Sequence, residues 1–212
     1  MGIKIKVCGM KYPENIQAVA AHAPDYLGFI FYEKSKRFVN DLDPRIVQLV
    51  NPSIARVGVF VNHPISFIEQ QSKKYGFETL QLHGDETPEY CQQLKEKGYT
   101  LVKAFQVGDG FNFAAINPYK SSVDYFLFDT KSEGYGGTGK KFDWKIFKKY
   151  DNEVPIFLSG GLDIEHIDEI KKLNYLNIHA LDINSKFEIE PGRKNEGKIK
   201  LFIDRIRDEI RS

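Results

Sequence analysis

The chain of 212 residues lacks the features by which several classes of protein are recognised. No apolar stretch approaches the roughly 20 residues that span a bilayer, and the first residues form no apolar signal-peptide segment. These absences predict a protein that does not enter a membrane and that works in the cytoplasm. The formal net charge of +1 also provides no general attraction to nucleic acid or to anionic lipid.

Cysteine and histidine are sparse. The two cysteines, Cys8 and Cys91, belong to no Cys-x-x-Cys pair and lie near no histidine cluster, so neither a disulfide framework nor a zinc site is expected. The five histidines form no evident cluster with carboxylates along the sequence. Low-complexity segments and long linkers are also absent. Together with 42% hydrophobic residues, this composition predicts one globular domain over residues 1–212.

Eight short apolar segments recur along the chain and predict buried β-strands. Each is four to eight residues long, rich in Val, Ile, Leu or Phe, and closed by Gly, Pro, Asn or Asp. Such runs are typical of strands that are covered on both faces. They span residues 4–9, 26–31, 55–61, 79–84, 100–107, 125–130, 155–161 and 180–185.

Amphipathic segments between these strands predict helices. Apolar residues recur at three- and four-residue steps over residues 64–75, 87–97, 143–150, 164–173 and 197–211. The last segment places its apolar side chains on one face, namely Ile199, Phe202, Ile203, Ile206 and Ile210. Because strands that alternate with helices are parallel, eight such units in 212 residues predict an α/β fold, a single-domain (β/α)8 TIM barrel.

Residues with chemical or conformational roles follow the apolar part of three predicted strands: Cys8, Asp129 and the pair Gly160 and Gly161. A closed ring of parallel strands gathers all their carboxyl ends at one mouth, where barrel enzymes have their active sites. The pattern therefore predicts an enzyme whose reactive residues come from distant parts of the chain. A glycine-rich segment, residues 131–141, follows the sixth strand and is expected to cover this mouth.

Short motifs spread over residues 4–195 occur in a recognisable order and spacing. They read KVCGM, SKRFV, GVFVN and QLHGDE in the first half, then FDT, GYGGTGKKFDW, LSGGL, LDINS and PGRKN. In this order they resemble the phosphoribosylanthranilate isomerase family of tryptophan biosynthesis. One such string has little weight, but the whole series in register is specific and covers nearly the whole chain.

The resemblance implies an Amadori rearrangement, in which N-(5'-phosphoribosyl)anthranilate becomes 1-(2-carboxyphenylamino)-1-deoxyribulose 5-phosphate. Protonation of the furanose oxygen opens the ring to a Schiff base, and the neighbouring carbon then loses a proton to give an enolamine that tautomerises to the ketone. Because only protons move, one acid and one base suffice. The resemblance therefore implies no cofactor, no metal and a small phosphorylated substrate as the partner.

Within the matched motifs, Asp129 corresponds to the family's general acid and Cys8 to its general base. The acid must stay protonated often enough to donate near neutral pH, and burial of a carboxyl favours its protonated form. A free thiol titrates near pH of about 8.5, so the base needs surroundings that favour the thiolate. From position alone, Asp129 equally fits a cap for the next loop or helix, and Cys8 fits a small packed side chain. Cys91 has no polar company suited to catalysis and is expected to pack.

Arg37 corresponds to the residue that pairs with the anthranilate carboxylate. A planar guanidinium suits that role because it donates two parallel hydrogen bonds to a carboxylate. The alternative is a solvated basic loop, since Lys34 and Lys36 are its neighbours.

The substrate phosphate is expected at the loops after the seventh and eighth strands, where barrels often bind phosphate through backbone amides. The residues expected there are Gly160, Gly161, Asn184 and Ser185. The chain departs from the family at this point, because residues 185–188 read Ser-Lys-Phe-Glu where Ser-Gly-Val-Glu is typical. If the glycine position needs a positive φ, Lys186 should strain the loop by about 1 kcal/mol, and otherwise its ammonium adds charge near the phosphate.

His83 ends the fourth strand and invites a catalytic interpretation, since histidine titrates near neutral pH. We favour a structural histidine that bonds Asp85 or a backbone carbonyl, and leave it outside the catalytic set. Asp85 and Glu86 are expected to cap the following helix.

The fold alone leaves other functions open. Another sugar-phosphate isomerase or epimerase is one alternative, although it would lack the pairing of Cys8 and Asp129 in these motifs. A non-catalytic barrel that binds a phosphate ligand is the other, although it would not need an acid and a base. The expected oligomeric state is a monomer or a homodimer.

Overall fold

Eight parallel strands form a closed barrel in the computed structural model, which describes residues 2–130 and 144–211. The strands are β1 (Lys4–Cys8), β2 (Tyr26–Ile30), β3 (Ala55–Phe60), β4 (Thr79–Leu82), β5 (Thr100–Val107), β6 (Tyr125–Thr130), β7 (Ile156–Ser159) and β8 (Ile178–Ile183). Strands adjacent in sequence are adjacent in the barrel, and β1 pairs with β8 to close it. The predicted (β/α)8 barrel is confirmed, and each predicted strand is present.

Helices and 3₁₀ turns cover the outside of the barrel. The α-helices are α1 (Pro13–Ala20), α2 (Pro44–Gln48), α3 (Ile65–Tyr75), α4 (Pro88–Glu96), α5 (Ile167–Lys171) and α6 (Glu196–Arg211). The 3₁₀ turns are Phe113–Tyr119, Trp144–Lys149, Ile164–His166 and Ser185–Phe187. In the described ranges, no helix is long and apolar enough to cross a membrane.

Several connections differ from the sequence prediction. The segment predicted as a helix over 143–150 is a 3₁₀ turn from Trp144 to Lys149, and 164–173 divides into a 3₁₀ turn and α5. A hairpin of β9 (Glu188–Glu190) and β10 (Arg193–Lys194) follows β8 and was not apparent in the sequence. The expected covering loop, residues 131–141, lies outside the described residues.

The cap of α4 corrects one expectation. Thr87 is the N-cap, and its hydroxyl accepts a hydrogen bond from the backbone N–H of Tyr90 at 3.2 Å. Neither Asp85 nor Glu86 caps the helix, so that prediction was wrong. The physical reason is that both carboxylates bond residues of the neighbouring loop, Asp85 through the side chain of Asn62.

Glu86 belongs to a buried ion pair that fixes the loops after β3 and β4. Its carboxylate accepts the backbone N–H groups of Asn62 and Gly84 at 2.8 and 2.9 Å. Lys103 of β5 reaches the same carboxylate at 3.1 Å and the Gly84 carbonyl at 2.7 Å. Because both charges are buried and multiply bonded, these loops are held at the mouth of the barrel.

Two apolar layers hold the structure together. The inner layer fills the barrel and consists of Cys8, Tyr26, Val57, Val59, Val102, Ala104, Leu127, Phe157 and Ala180. The outer layer lies between strands and helices and includes the predicted face of α6, namely Ile199, Phe202, Ile203 and Ile206. The side chain of Ile210 lies outside the described part of the chain. Burying each large apolar side chain contributes about 1.5–3 kcal/mol, so both layers stabilise the barrel.

Cys91 is fully buried in the outer layer, which confirms its expected packing.

An aromatic cluster closes the end of the barrel opposite the mouth. The His179 ring stacks at a tilt on Tyr125, with 4.2 Å between ring centroids, and lies 5.3 Å from the Phe157 ring. Its Nε2 is 2.7 Å from the Tyr26 hydroxyl. Burial lowers the pKa of His179 from 6.5 to about 4. His179 is therefore neutral in the folded protein at pH 7.

We expect the protein to lose stability from this site as the pH falls from about 6.5 to about 4. Between these pH values His179 is protonated in the unfolded chain and neutral in the folded protein, so lowering the pH favours unfolding. Since the ring is only half-buried, solvent screening reduces the effect to about 1–2 kcal/mol. Urea unfolding at both ends of the window should show a smaller loss for His179→Phe than for wild type. His22→Gln, outside the cluster, should behave as wild type, and an equal loss in all three proteins would refute the assignment.

Candidate active site

A cavity of about 190 Å³ opens among the carboxyl ends of the strands. It brings together every residue that the sequence indicated for catalysis and binding, namely Cys8, Arg37, Asp129, Gly160, Gly161, Asn184 and Ser185. The strands and loops that carry these residues are far apart in sequence and meet because the sheet closes. The cavity therefore has the position and composition expected of a barrel active site.

Cys8 is the last residue of β1, and its side chain is only 4% exposed on the cavity wall. Burial raises the pKa of the Cys8 thiol, while the ammonium groups of Lys6 and Lys194 oppose that rise. The thiol therefore lies among apolar interior residues but next to two positive charges. Nearby positive charges favour the reactive thiolate, whereas apolar surroundings alone favour an inert, packed thiol.

Asp129 lies on β6 and faces the same cavity. In the sheet its neighbours are Gln106 of β5 and Ser159 of β7. The side chain is 34% exposed, and the loop expected to cover it lies outside the described residues. One of its oxygens lies 3.7 Å from His83 Nε2, so an imidazole and a carboxyl face each other across the mouth.

A chain of polar side chains crosses the barrel beneath the cavity. Lys6 Nζ donates to Asp182 Oδ1 at 2.9 Å and to Gln81 Oε1 at 2.8 Å. The Gln81 amide nitrogen in turn lies 2.7 Å from His83 Nδ1. Asp182, Gln81 and His83 line the cavity. This chain links the strand that carries Cys8 to the neighbourhood of Asp129, and the sequence analysis missed its buried members.

The contacts of His83 differ from the expectation. Among the described residues its ring bonds Gln81, with no bond to Asp85 or to a backbone carbonyl, and it faces Asp129. The physical reason is strand alternation, which points residues 81 and 83 to the same, inward side. Among the residues described, no group of three His, Cys, Asp or Glu side chains is placed to hold a metal ion.

Arg37 lies beside Cys8 on the cavity wall and is tied to Glu188 of the hairpin. The two side chains form a bidentate pair, with Nε to Oε1 at 2.8 Å and Nη2 to Oε2 at 2.5 Å. Gly9 makes room for it, because a Cβ at Gly9 would lie 2.6 Å from Arg37 Cδ. Its φ of +78° also favours glycine. The end of β1 is thus shaped so that the arginine can cross it.

Glu188 is the centre of a second polar cluster. Besides the bonds from Arg37, its carboxylate accepts hydrogen bonds from Lys194 Nζ at 2.8 Å and from the backbone N–H of Gly192 at 3.0 Å. Burial alone would raise the pKa of Glu188, but the hydrogen bonds from Arg37 and Lys194 outweigh it and hold that pKa below its ordinary value. Lys194 also donates to Asn184 Oδ1 at 2.7 Å. One ionised carboxylate therefore orients both Arg37 and Lys194.

The loops after β7 and β8 form the remaining wall. Gly160 and Gly161 have φ of +96° and +66°, and a Cβ at Gly161 would meet no atom of the described residues within 4 Å. The positive φ at both positions favours glycine, and both residues line the cavity. Asn184 and Ser185 begin the next loop, where the Phe187 N–H bonds the Asn184 carbonyl at 3.0 Å.

Lys186 does not strain this loop. It lies in the 3₁₀ turn Ser185–Phe187, and the described non-glycine residues with positive φ are Ala23, Asn62 and Asn152 only. The condition for strain, a positive φ at this position, is therefore not met, and the alternative of a charge near the phosphate loops remains. The exposed Lys186 lines the cavity, and its carbonyl accepts Lys198 Nζ at 2.7 Å.

Lys198 of α6 joins the two loops. Besides the Lys186 carbonyl, it binds both carboxylate oxygens of Asp163 at 2.8 and 2.9 Å. Asp163 in turn caps the 3₁₀ turn after Gly160 and Gly161. The positions of the two loops are therefore coupled through one ammonium group.

Known proteins share this architecture and much of the sequence. The family model of N-(5'-phosphoribosyl)anthranilate (PRA) isomerase matches residues 5–205. A relative of that name from Parabacteroides distasonis is 46% identical over 204 residues, which cover 95% of this chain and 92% of the relative.

Solved structures agree. The phosphoribosyl anthranilate isomerase of Thermotoga maritima superimposes with a TM-score of 0.86 at 32% identity, over 97% of this chain and 99% of that one. A phosphoribosyl anthranilate isomerase in complex with reduced 1-(o-carboxyphenylamino)-1-deoxyribulose 5-phosphate gives a TM-score of 0.85 at 29% identity, with the same coverage. The chain belongs to the N-(5'-phosphoribosyl)anthranilate isomerase family.

Proposed function

We propose that Asp129 and Cys8 are the acid and the base with which this isomerase carries out the Amadori rearrangement of N-(5'-phosphoribosyl)anthranilate in tryptophan biosynthesis. The observation that carries the proposal is that a thiol from β1 and a carboxyl from β6 line one cavity together with an arginine and two glycine-containing loops. The substrate offers a matching set of groups, namely an aminoaldose carbon framework, a carboxylate and a phosphate.

The proposed chemistry needs only proton transfers. The Asp129 carboxyl donates its proton to the furanose oxygen as the bond from that oxygen to C1 breaks, which leaves a protonated Schiff base at C1. The Cys8 thiolate removes the proton from C2, and the released electron pair forms the C1–C2 double bond of the enolamine. Tautomerisation then moves the enol proton to C1 and gives the ketone. Each positioned acid or base contributes about 10²–10⁴-fold to such a reaction.

Arg37 is suited to hold the anthranilate carboxylate while it remains bound to Glu188. A guanidinium has five N–H donors, and Glu188 uses the edge formed by Nε and Nη2. The edge that includes Nη1 can therefore bind a second carboxylate. Because Glu188 fixes the guanidinium plane, little side-chain freedom is lost when the substrate binds.

The phosphate is proposed to bind at the loops that carry Gly160, Gly161, Asn184 and Ser185. These loops follow β7 and β8, the usual location of phosphate in barrels of this kind. Lys186 adds a positive charge on the same wall. Arg37 and the glycine loops therefore separate the substrate's two anionic groups within the one cavity.

We also propose that residues 1–212 are one catalytic domain that acts in the cytoplasm as a monomer or a homodimer. The solved enzyme of Thermotoga maritima is described as dimeric. Sedimentation velocity of this chain over a range of concentrations distinguishes the two oligomeric states.

Replacing either proposed catalytic residue should abolish most turnover. For Cys8→Ala and Asp129→Asn we expect kcat to fall by about 10²–10⁴-fold, because each variant lacks one proton-transfer group. Turnover is followed by the loss of anthranilate-type fluorescence when freshly made substrate is added to metal-stripped protein. Cys91→Ala, which removes the packed thiol, should retain the wild-type rate once folded.

Near-wild-type rates in both variants would refute the assignment of acid and base. If the wild-type protein bound a product analogue tightly without turning over substrate, the alternative of a non-catalytic phosphate-binding barrel would replace the isomerase.

Arg37→Ala should weaken binding through the carboxylate. Loss of charged hydrogen bonds costs about 1.5–3 kcal/mol, so we expect a product analogue to bind about 10–100-fold more weakly. An otherwise identical analogue that has phenyl in place of carboxyphenyl should bind wild type and variant alike in calorimetric titrations. If Arg37→Ala weakened both analogues equally, the arginine would not recognise the carboxylate.

Lys198→Met should loosen the proposed phosphate site. Because Lys198 couples the loops of Asp163 and Lys186, its loss should raise KM about 3–10-fold with little change in kcat. Inorganic phosphate, tested as a competitive inhibitor, should weaken in parallel. Lys200→Met is the matched control, since Lys200 lies on the same helix but pairs with the exposed Asp204. Equal effects of the two substitutions would show that the loops do not depend on Lys198.

A further inference from the structure

A fully buried lysine lies in the interior of the barrel, one layer below the active-site cavity. Lys6 has 0% exposure, and its ammonium group bonds Asp182 and Gln81, both of which are also buried. The side chains that fill the rest of the interior are mainly apolar. Lysine is almost never fully buried without a partner, so this position needs a physical explanation.

Stability alone does not explain the pair. Desolvating an ammonium and a carboxylate costs several kcal/mol per ion, and well-packed apolar residues in place of such a pair are often neutral or stabilising. The interior of this barrel already uses valine, leucine and phenylalanine at equivalent positions. Packing alone therefore does not explain this charge, and buried charges of this kind are typical of groups that serve a site.

The geometry directs this charge at Cys8. Lys6 and Cys8 are two residues apart on β1, so their side chains point to the same, inward face. Both pack over Gly28 of the adjacent strand. A Cβ at Gly28 would lie 2.9 Å from Cys8 Sγ and 3.3 Å from Lys6 Cε, so both side chains occupy the space above this glycine and a larger residue would displace them.

We propose that the Lys6 ammonium is the fixed counter-charge that makes the Cys8 thiolate available as a base, and that Asp182 and Gln81 hold the ammonium in place for this purpose. Lys6 is thus a positioning residue that acts through Cys8 and does not touch the substrate. The proposal rests on the proposed role of Cys8 as the base.

Other charges face Cys8 from the elements packed around it, and Lys6 is the strongest of those that favour the thiolate. Burial raises the pKa of the Cys8 thiol, Lys6 lowers it, Asp182 raises it and Lys194 lowers it, in that order of effect. Arg37 also interacts with the thiolate, from the loop after β2. His83 and Asp129 lie farther across the cavity and interact with Asp182.

Lys6 itself stays charged. Burial alone would lower the pKa of Lys6, but Asp182 and Cys8 outweigh it and hold that pKa above its ordinary value. The charged form of Lys6 is therefore the favoured one beside Asp182 and Cys8.

The test is a thiolate titration of the substrate-free protein by ultraviolet absorbance, with the Cys8→Ser spectrum subtracted to remove tyrosine and Cys91. In Lys6→Met we expect the thiolate to form at higher pH, with about tenfold less thiolate at a given pH below the midpoint. The acid limb of the kcat/KM profile should move to higher pH by the same amount, while KM changes little. Lys4→Met is the matched control, since it removes a lysine two residues earlier on the same strand and should titrate as wild type.

A second variant keeps the test valid if Lys6→Met does not fold, since that substitution leaves Asp182 buried without its partner. The double substitution Lys6→Met with Asp182→Asn removes both charges. It should move the titration in the same direction by less, because the opposing charge of Asp182 is lost as well. If either folded variant titrated as wild type does, the proposal would be overturned. If instead the titration moved as expected but Cys8→Ser kept its turnover, the counter-charge would stand and the assignment of Cys8 as the base would fall.

Discussion

The pairing of β1 with β8 is the contact on which the rest of the molecule depends. It joins the two ends of the chain in parallel register, with Lys6 opposite Asp182 and Val7 opposite Ile183. Because of this register, the residue that precedes Cys8 on the inner face meets a carboxylate from the opposite end of the sequence. The loop after β8 then begins beside Cys8. The strand pairing that closes the barrel therefore also brings the residues of the cavity together.

The same seam explains why the hairpin after β8 belongs to the site. Lys194 is fully buried, and its backbone N–H and C=O bond the side chain of Asn15 on α1 at 2.7 and 3.0 Å. The hairpin is thus attached to the first helix of the chain, and from there it presents Glu188 to Arg37. A carboxylate that lies 151 residues from its arginine can act on it only in the closed barrel.

The strands and the lining of the cavity were predictable because both leave local signals. A buried strand is an apolar run, and the mouth is marked where that run ends in glycine or a polar residue, as at Cys8 and Gly160. The buried polar chain was not found, because Lys6 and Gln81 look like ordinary polar residues in a short strand. The available signal was alternation: Ile5 and Val7 pack outward under the helices, so Lys6 and Cys8 must share the inner face.

Pairings between distant residues left no such signal. The motifs point to Arg37 as a carboxylate ligand but do not indicate that Glu188 already occupies one edge of its guanidinium. Whether Lys186 is strained was open for a related reason. A missing glycine implies strain only where the backbone has a positive φ, and here Lys186 lies in a 3₁₀ turn without one. Backbone conformation in a loop depends on its tertiary anchors, in this case Lys198, and not on the local sequence alone.

One end of the barrel interior is neutral and the other carries charged groups, and this difference matters for the chemistry. One end is closed by neutral rings, since His179 is uncharged among Tyr125 and Phe157 at neutral pH. The other end carries the ion pair of Lys6 and the thiol of Cys8. A charge acts more strongly when apolar residues, not water, surround it. The aromatic cluster and the inner apolar layer keep water away from Lys6 and Cys8, so the lysine acts on the thiol with little screening. The polar mouth admits the substrate from the opposite end.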